Sequence, residues 1–258
     1  MVRRKSRVGH LRLGSVVRRL AAIANRLVLS VIGRWTDRAY LAADVPAPKL
    51  AAHATFAERV VEAGDRPGFR ILEIGSREVT GSYGLRGRLA HAAYVGFDYY
   101  PGPNVDVAGD AHRLSELVEG RFDVVYSTAV FEHLAMPWVV AEEIARVLKP
   151  GGMAFIETHF SYSSHERPWH FFQFSDMGLR ALFSPALGFE CVEAAMQNPI
   201  VGRFSYFADR YLRFRPVTGL YCHANLIACK VRDVEGFRWR DVEVADVAGA
   251  THYPPPPQ

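Results

Sequence analysis

The side chains best placed for chemistry in this 258-residue chain follow a series of short apolar runs. Arg70-Ile71-Leu72-Glu73-Ile74-Gly75-Ser76-Arg77 reads as a strand entering a glycine turn, where a ligand can approach the backbone without meeting a β-carbon. Open α/β sheets bind ligands at that place, the carboxyl end of a strand. Asp98 ends the next run, Tyr94-Val95-Gly96-Phe97-Asp98, and a carboxylate there can accept both hydroxyls of a ribose. Gly109-Asp110-Ala111 follows a third run. Its acid can take a hydrogen bond from an adenine amino group while the next backbone N–H donates to the ring. Dinucleotide oxidoreductases use the same ribose acid, so these positions alone indicate a nucleoside and not a reaction.

Later residues narrow the reading. Phe122-Asp123-Val124-Val125-Tyr126-Ser127 leads to Val130-Phe131-Glu132-His133-Leu134, and Val147-Leu148-Lys149-Pro150-Gly151-Gly152 ends a helix ahead of a fifth strand. In the last of these the proline stops the helix and the glycines supply a left-handed turn back to the sheet. Histidine suits proton removal from a hydroxyl because its unperturbed pKa is about 6.5. His133, His159, His165 and His170 are the candidates, with His159 and His165 on the stretch where an acceptor would enter. The alternative is that they cap helices or bond backbone carbonyls. Trp169, Phe171, Phe172 and Phe174 form an aromatic loop that either stacks on a ring substrate or closes as a water-excluding lid.

The elements that must position these residues alternate. Strands are expected near 70–74, 93–98, 104–107, 122–127, 153–158, 188–195 and 221–231, and helices near 84–91, 112–119, 137–148 and 176–183. Short Val-, Ile- and Phe-rich runs separated by helices are what a mostly parallel sheet covered on both faces requires. The last strand has loop before it where a crossover helix would stand, and is expected to enter antiparallel. Phe207, Arg210 and Tyr211, in a basic aromatic insert, would share one helical face and read as a core contact before an acceptor pocket.

Taken together, the L-E-I-G strand turn, the F-E-H-L element and the L-K-P-G-G turn make residues 70–185 resemble the class I S-adenosylmethionine-dependent methyltransferases, in their type 11 branch. The resemblance implies a Rossmann-like, doubly wound α/β fold with a seven-stranded, mostly parallel sheet. It implies S-adenosylmethionine as cofactor, with Glu73 and Gly75 near its methionine part, Asp98 on the ribose, Asp110 with Ala111 at the adenine, and Ser76 and Tyr99 also among the cofactor-binding residues. Ser127 and Thr128 would border the sulfonium, with Phe131 close by. The first turn departs from the family's G-x-G-x-G: Gly75 is followed by Ser76, Arg77 and Glu78 before Gly81. His165, Pro168, Phe174 and Ser175 also match the H-x-x-P-x-D-Y-W-R-F-S stretch of methyltransferases associated with polysaccharide biosynthesis. The expected reaction is methyl transfer to a hydroxyl of a carbohydrate or small metabolite. An adapter that keeps the fold without catalysis, and an RNA methyltransferase, are the alternatives.

Charge is unevenly spread. Residues 1–38 carry ten Arg or Lys against Asp37, which leaves the remainder at a net of −5. An acidic body argues against DNA as a partner, because phosphate neutralisation needs spread cations. Residues 11–34 place Val16, Leu20, Ile23, Leu27 and Val31 at helical spacing with Arg18 opposite, an amphipathic helix too interrupted to span a bilayer. It reads as a lid on the catalytic domain, a peripheral contact with the inner membrane face, or a transit peptide. Three scattered cysteines without a C-x-x-C pair assign no disulfide framework and no metal, and the default compartment is the cytoplasm. The chain divides in this reading into a helical extension (1–64), a cofactor-binding domain (65–233) and a C-terminal extension (234–258) ending in a disordered proline run.

Overall fold

A computed structural model describes residues 7–41, 44–46, 48–50, 52–79 and 84–248; the proline tail and Gly81 lie outside them. By its contacts the chain divides into two units, one of residues 1–42 with 201–220, the other of 43–200 with 221–258. This differs from the three sequence segments: residues 43–64 cluster with the sheet, and an insert from the C-terminal half clusters with the N-terminal helix.

The larger unit is built on a seven-stranded sheet. Its strands are β1 (Arg70–Ile74), β2 (Ala93–Asp98), β3 (Val107–Ala108), β4 (Phe122–Thr128), β5 (Leu148–His159), β6 (Phe189–Pro199) and, last in the chain, Tyr221–Lys230. The insert's two short strands, β7 (Gly202–Arg203) and β8 (Pro216–Val217), precede that last strand, which is therefore β9. Spatial order is β3-β2-β1-β4-β5-β9-β6. The first five run parallel, and β9 is antiparallel to both β5 and β6, as its loop connection requires. The fold is thus the expected Rossmann-like α/β sheet with an antiparallel last strand.

Apolar residues fill both faces because alternate positions of a strand point oppositely. Leu72, Ile74, Val125 and Ile156 face a core closed by α3 (Leu114–Leu117), α4 (Pro137–Val147) and α5 (Asp176–Leu182), which contribute Leu114, Val140, Ile144 and Leu179. Ile71, Val124, Tyr126 and Phe155 face α2 (Phe56–Gly64), whose Phe56 and Val60 are wholly buried. Each such side chain contributes about 1.5–3 kcal/mol of burial. Pro137 stands in the first turn of α4, where its missing N–H costs no helical bond. Gly151 takes the left-handed conformation (φ 84°) that the L-K-P-G-G turn calls for.

Two elements differ from expectation. The helix expected near 84–91 is a single 3₁₀ turn, Arg86–Arg88, its continuation broken by Gly84 and Gly87. The third strand is only Val107–Ala108, shifted from 104–107, because Asn104 is left-handed (φ 68°) and the Asp106 carboxylate takes the Gly96 N–H.

In the smaller unit, α1 (Arg7–Thr36) continues into a 3₁₀ turn, Asp37–Tyr40. The insert pairs β7 with β8 and crosses between them in turns, without the helix that would have set Phe207 beside Tyr211 on one face. Both rings are exposed, Phe207 by 92% and Tyr211 by 65%, which overturns the core reading. No described helix is long and apolar enough to cross a membrane.

Candidate active site

The carboxyl ends of β1, β2 and β4 form the first half of the site. Gly75 leaves β1 at φ 86°, and a β-carbon there would lie 2.3 Å from Val130 Cγ2. Only glycine satisfies both constraints. Its amide and that of Ser76 donate to Phe97 O, which ties the turn to the end of β2. Glu73 accepts from the Tyr94 hydroxyl at 2.6 Å, and burial outweighs that bond to push its carboxyl up.

Asp98 ends β2 with its side chain 13% exposed. Its carboxylate accepts from Arg77 N (3.3 Å), Arg77 Nε (3.2 Å) and Tyr100 N (3.0 Å). Gly109 N donates to Asp98 O at 2.9 Å, so Asp110 follows directly on the end of the neighbouring strand. Asp110 caps the turn Ala111–Arg113 by accepting from His112 N at 3.0 Å. Burial would raise its carboxyl, but the bonds from His112 hold it below the ordinary range. Ala111 is buried, and Tyr99 is exposed beside Asp98.

The residues present fit an S-adenosylmethionine cradle on two observations. First, Ser76 Oγ and Ser127 Oγ, at the ends of β1 and β4, are buried without a hydrogen-bond partner, hydroxyls that a bound polar group would satisfy. Second, the turn between them is kept free of any side chain at Gly75, where Val130 leaves no room for a β-carbon. Thr128 differs from Ser127 in that it hydrogen-bonds Tyr126, whose phenol burial pushes up to about 12. Phe131 is 0% exposed and packs against Phe174 and Phe183, so its ring serves the core in place of bordering the sulfonium side of the site.

The second half lies at the carboxyl end of β5, where six of the ten histidines collect. His165 stands 4.8 Å from His133, 5.4 Å from His159 and 4.7 Å from His170, ring centre to ring centre. His223 lies 5.4 Å from His159, its partner across the β5–β9 ladder, and stacks on His53 at 4.5 Å. Burial and neighbouring imidazoles push His170 down; burial does the same for His223. Both shifts favour the neutral imidazole at these two positions.

The loop that follows β5 is stitched to this edge. Phe171 N and Phe172 N donate to Glu132 O, and Phe174 N to His159 O. Ser175 then caps α5, accepting from Gly178 N at 3.0 Å. His133 Nδ1 meets Trp169 O at 2.5 Å, and Trp169 leans on Tyr99 at 6.0 Å, joining the histidine cluster to the residue that follows Asp98.

At the centre is a residue that motif reading passed over. Glu132 is fully buried, accepts from Thr158 Oγ1 at 2.6 Å and lies 2.6 Å from His159 Nδ1. The latter contact is off-line, so neither atom has a well-formed hydrogen bond among the described residues. Burial would raise the Glu132 carboxyl, yet His159 and Thr158 outweigh it and hold it below its ordinary range. A buried ionised acid behind an imidazole orients the ring and stabilises its protonated form. His165 Nδ1 faces Ser163 O at 2.9 Å, which leaves its Nε2 as base.

Three overlapping groups here bring one metal-ligand atom per residue within 4.8 Å, among them Glu132, His159 and His165. The 2.6 Å between Glu132 and His159 is shorter than the roughly 3.3 Å that separates two ligands each about 2.0–2.1 Å from a tetrahedral zinc. His159 also stacks flat on Tyr162 at 4.5 Å and 14°. The pair therefore has the geometry of an acid–base dyad.

Residues 72–156 match the family model described as a methyltransferase domain. No curated protein matches the chain. Among solved structures it is similar to Burkholderia thailandensis 1,6-didemethyltoxoflavin-N1-methyltransferase (15% identity, 90% of this chain and 94% of that one, TM-score 0.49). It is also similar to YcgJ from Bacillus subtilis (16%, 70% and 100%, TM-score 0.48). For TehB from Haemophilus influenzae the values are 16% and a TM-score of 0.45, over 70% of this chain and only 63% of the other.

Proposed function

We propose that this chain, whose residues 72–156 match a methyltransferase domain, is a class I S-adenosylmethionine-dependent methyltransferase that transfers the methyl group to a hydroxyl of a carbohydrate or small hydroxylated metabolite, with His159 as the base. When bound, the cofactor supplies an electrophilic methyl group. Asp98 would hold its ribose in place of the Arg77 side chain, Asp110 and Ala111 its adenine, and Ser76 and Ser127 its polar amino-acid end. Thr128 and Tyr99 would border it.

The observation that carries the hydroxyl reading is the Glu132–His159 pair. Nδ1 of His159 faces the carboxylate, so Nε2 is the nitrogen available to take the acceptor's proton. Glu132 stays ionised and balances the charge that the imidazole gains. A methyl acceptor with a hydroxyl pKa far above 7 needs such a base, whereas a neutral amine does not. Exposed Tyr162, Trp169 and Phe171 beside the cluster offer flat apolar faces suited to a sugar ring. His133 and His165 would then position the acceptor.

Titration with S-adenosylmethionine, followed by S-adenosylhomocysteine release over panels of hydroxylated and amino acceptors, tests both halves. Asp98→Ala should weaken cofactor binding about tenfold or more, the cost of removing a charged hydrogen-bond acceptor. No binding at millimolar cofactor would remove the assignment. Turnover confined to amines would remove the hydroxyl.

A further inference from the structure

We propose that α1 and the insert 201–220 form a docking unit for the surface of an anionic lipid bilayer, independently of which acceptor the enzyme methylates. The two segments are remote in sequence yet cluster into one unit, where Gly219 N donates to Tyr40 O at 2.9 Å.

Both segments join exposed apolar groups to arginine. On α1, Val16, Leu20, Ile23, Leu27, Val31 and Trp35 recur at spacings of three or four and are each at least half exposed. Arg19 and Arg26 flank that stripe. In the insert, Arg213 lies over Tyr206 at 4.9 Å and Arg203 over Phe214 at 5.5 Å, while Phe207 is 92% exposed. Such aromatic–arginine pairs suit the headgroup layer, where an apolar ring and a cation are both accommodated.

Charge identifies the occupant. Residues 7–41 carry seven arginines against Asp37, and 201–220 four against Asp209. The other unit, over 43–200 and 221–258, carries 17 basic against 25 acidic residues. One unit is thus strongly cationic on a chain that is otherwise anionic, and an anionic surface attracts the first while repelling the second. RNA would engage the arginines but leaves the aliphatic stripe in water. A second copy would bring two cationic faces together. A bilayer surface takes both features, with the helix lying in its plane, since α1 does not qualify as a span.

Co-sedimentation of the full chain with vesicles of phosphatidylcholine alone, and of phosphatidylcholine with phosphatidylserine, tests this. Partition into the anionic vesicles should be about tenfold stronger or more, and should largely vanish near 1 M salt, where screening acts within about 3 Å. Leu20→Ser with Ile23→Ser, and separately Phe207→Ser, should each lower it roughly fivefold or more. Both variants should keep the wild-type melting temperature and cofactor affinity. The proposal falls if the two vesicle types bind alike, or if the variants bind as wild type does. It also falls if single-stranded RNA binds and anionic vesicles do not, or if the stripe is buried in a dimer without lipid.

Discussion

Glu132 and Glu157 flank the carboxyl end of β5, both buried and both within 2.8 Å of an imidazole, yet their surroundings differ. Glu157 accepts from Asn225 Nδ2 at 2.6 Å, Gln197 Nε2 at 3.1 Å and His53 Nδ1 at 2.8 Å. Every donor around it is used in joining β5, β9, β6 and the segment before α2. Glu132 has one well-formed bond, from Thr158, and meets His159 off-line. Thr158 and Glu157 are adjacent on the strand and point to opposite faces, so the two acids lie on opposite sides of one strand. The same pair of residue types therefore does two things. Saturated, it fastens strands; left one bond short beside a crowded set of bases, it is available for a proton.

The largest expected effect sets the two pairs apart by activity. His159→Gln and Glu132→Gln should each lower kcat about 10²–10⁴-fold, the range for losing general-base help, with cofactor affinity within about twofold of wild type. Glu157→Gln should leave kcat within a few-fold. Steady-state kinetics on any accepted hydroxyl substrate reads the difference. Comparable losses at both acids would mean that the Glu132 pair is structural too.

Stability should rank them in reverse. Glu157→Ala leaves the buried Asn225 Nδ2 without its acceptor and takes one of two acceptors from Gln197 Nε2, which keeps Asn225 Oδ1, at roughly 1–3 kcal/mol. A loss at the upper end, near 3 kcal/mol, would lower Tm by about 6–12 °C in a chain of this size. Glu132→Gln keeps an acceptor for the Thr158 hydroxyl and should cost less, as thermal melts of the two variants would show.

This contrast also explains what the sequence disclosed. The strand ends were legible because each is marked locally: Gly75 by a turn that no other residue tolerates, and Asp98 and Asp110 by position after an apolar run. The antiparallel β9 followed from its lack of a crossover helix. His133, His159 and His165 could be nominated by chemistry and loop position, and the fold brings their rings together. Glu132 could not, because its role arises only when Thr158 and His159 arrive beside it from another strand. Arg77 engaging Asp98 was hidden for the same reason. Phe131 misled because it stands in a motif beside chemistry-bearing residues while its own ring points into the core. The insert misled through periodicity: spacing of three and four suggested a helix, but Phe214 is left-handed (φ 63°) and the chain there turns back on itself.

The smallest effect is in pH, and there the pairs should part in opposite directions. The bond from His53 to Glu157 raises the His53 pKa, against a smaller opposing effect of burial. Its stabilisation is complete below the unfolded value of about 6.5 and is lost as pH rises through the higher folded value. The imidazole is half exposed, so solvent screening keeps the effect modest. Glu132 behaves conversely. Burial works to raise its carboxyl, but the contacts with His159 and Thr158 prevail and lower it. Its stabilisation is present above the unfolded value of about 4.3 and disappears as pH falls through the lower folded value. Thermal melts of wild type, His53→Asn and Glu132→Gln across pH 3 to 9 should therefore diverge at opposite ends. Wild type should lose its advantage over His53→Asn as pH rises above about 6.5 through the raised folded value, and over Glu132→Gln only in acid. If the Glu132→Gln curve instead paralleled wild type down to the lowest pH, the acid would be protonated already, and an uncharged Glu132 could not support a cationic His159.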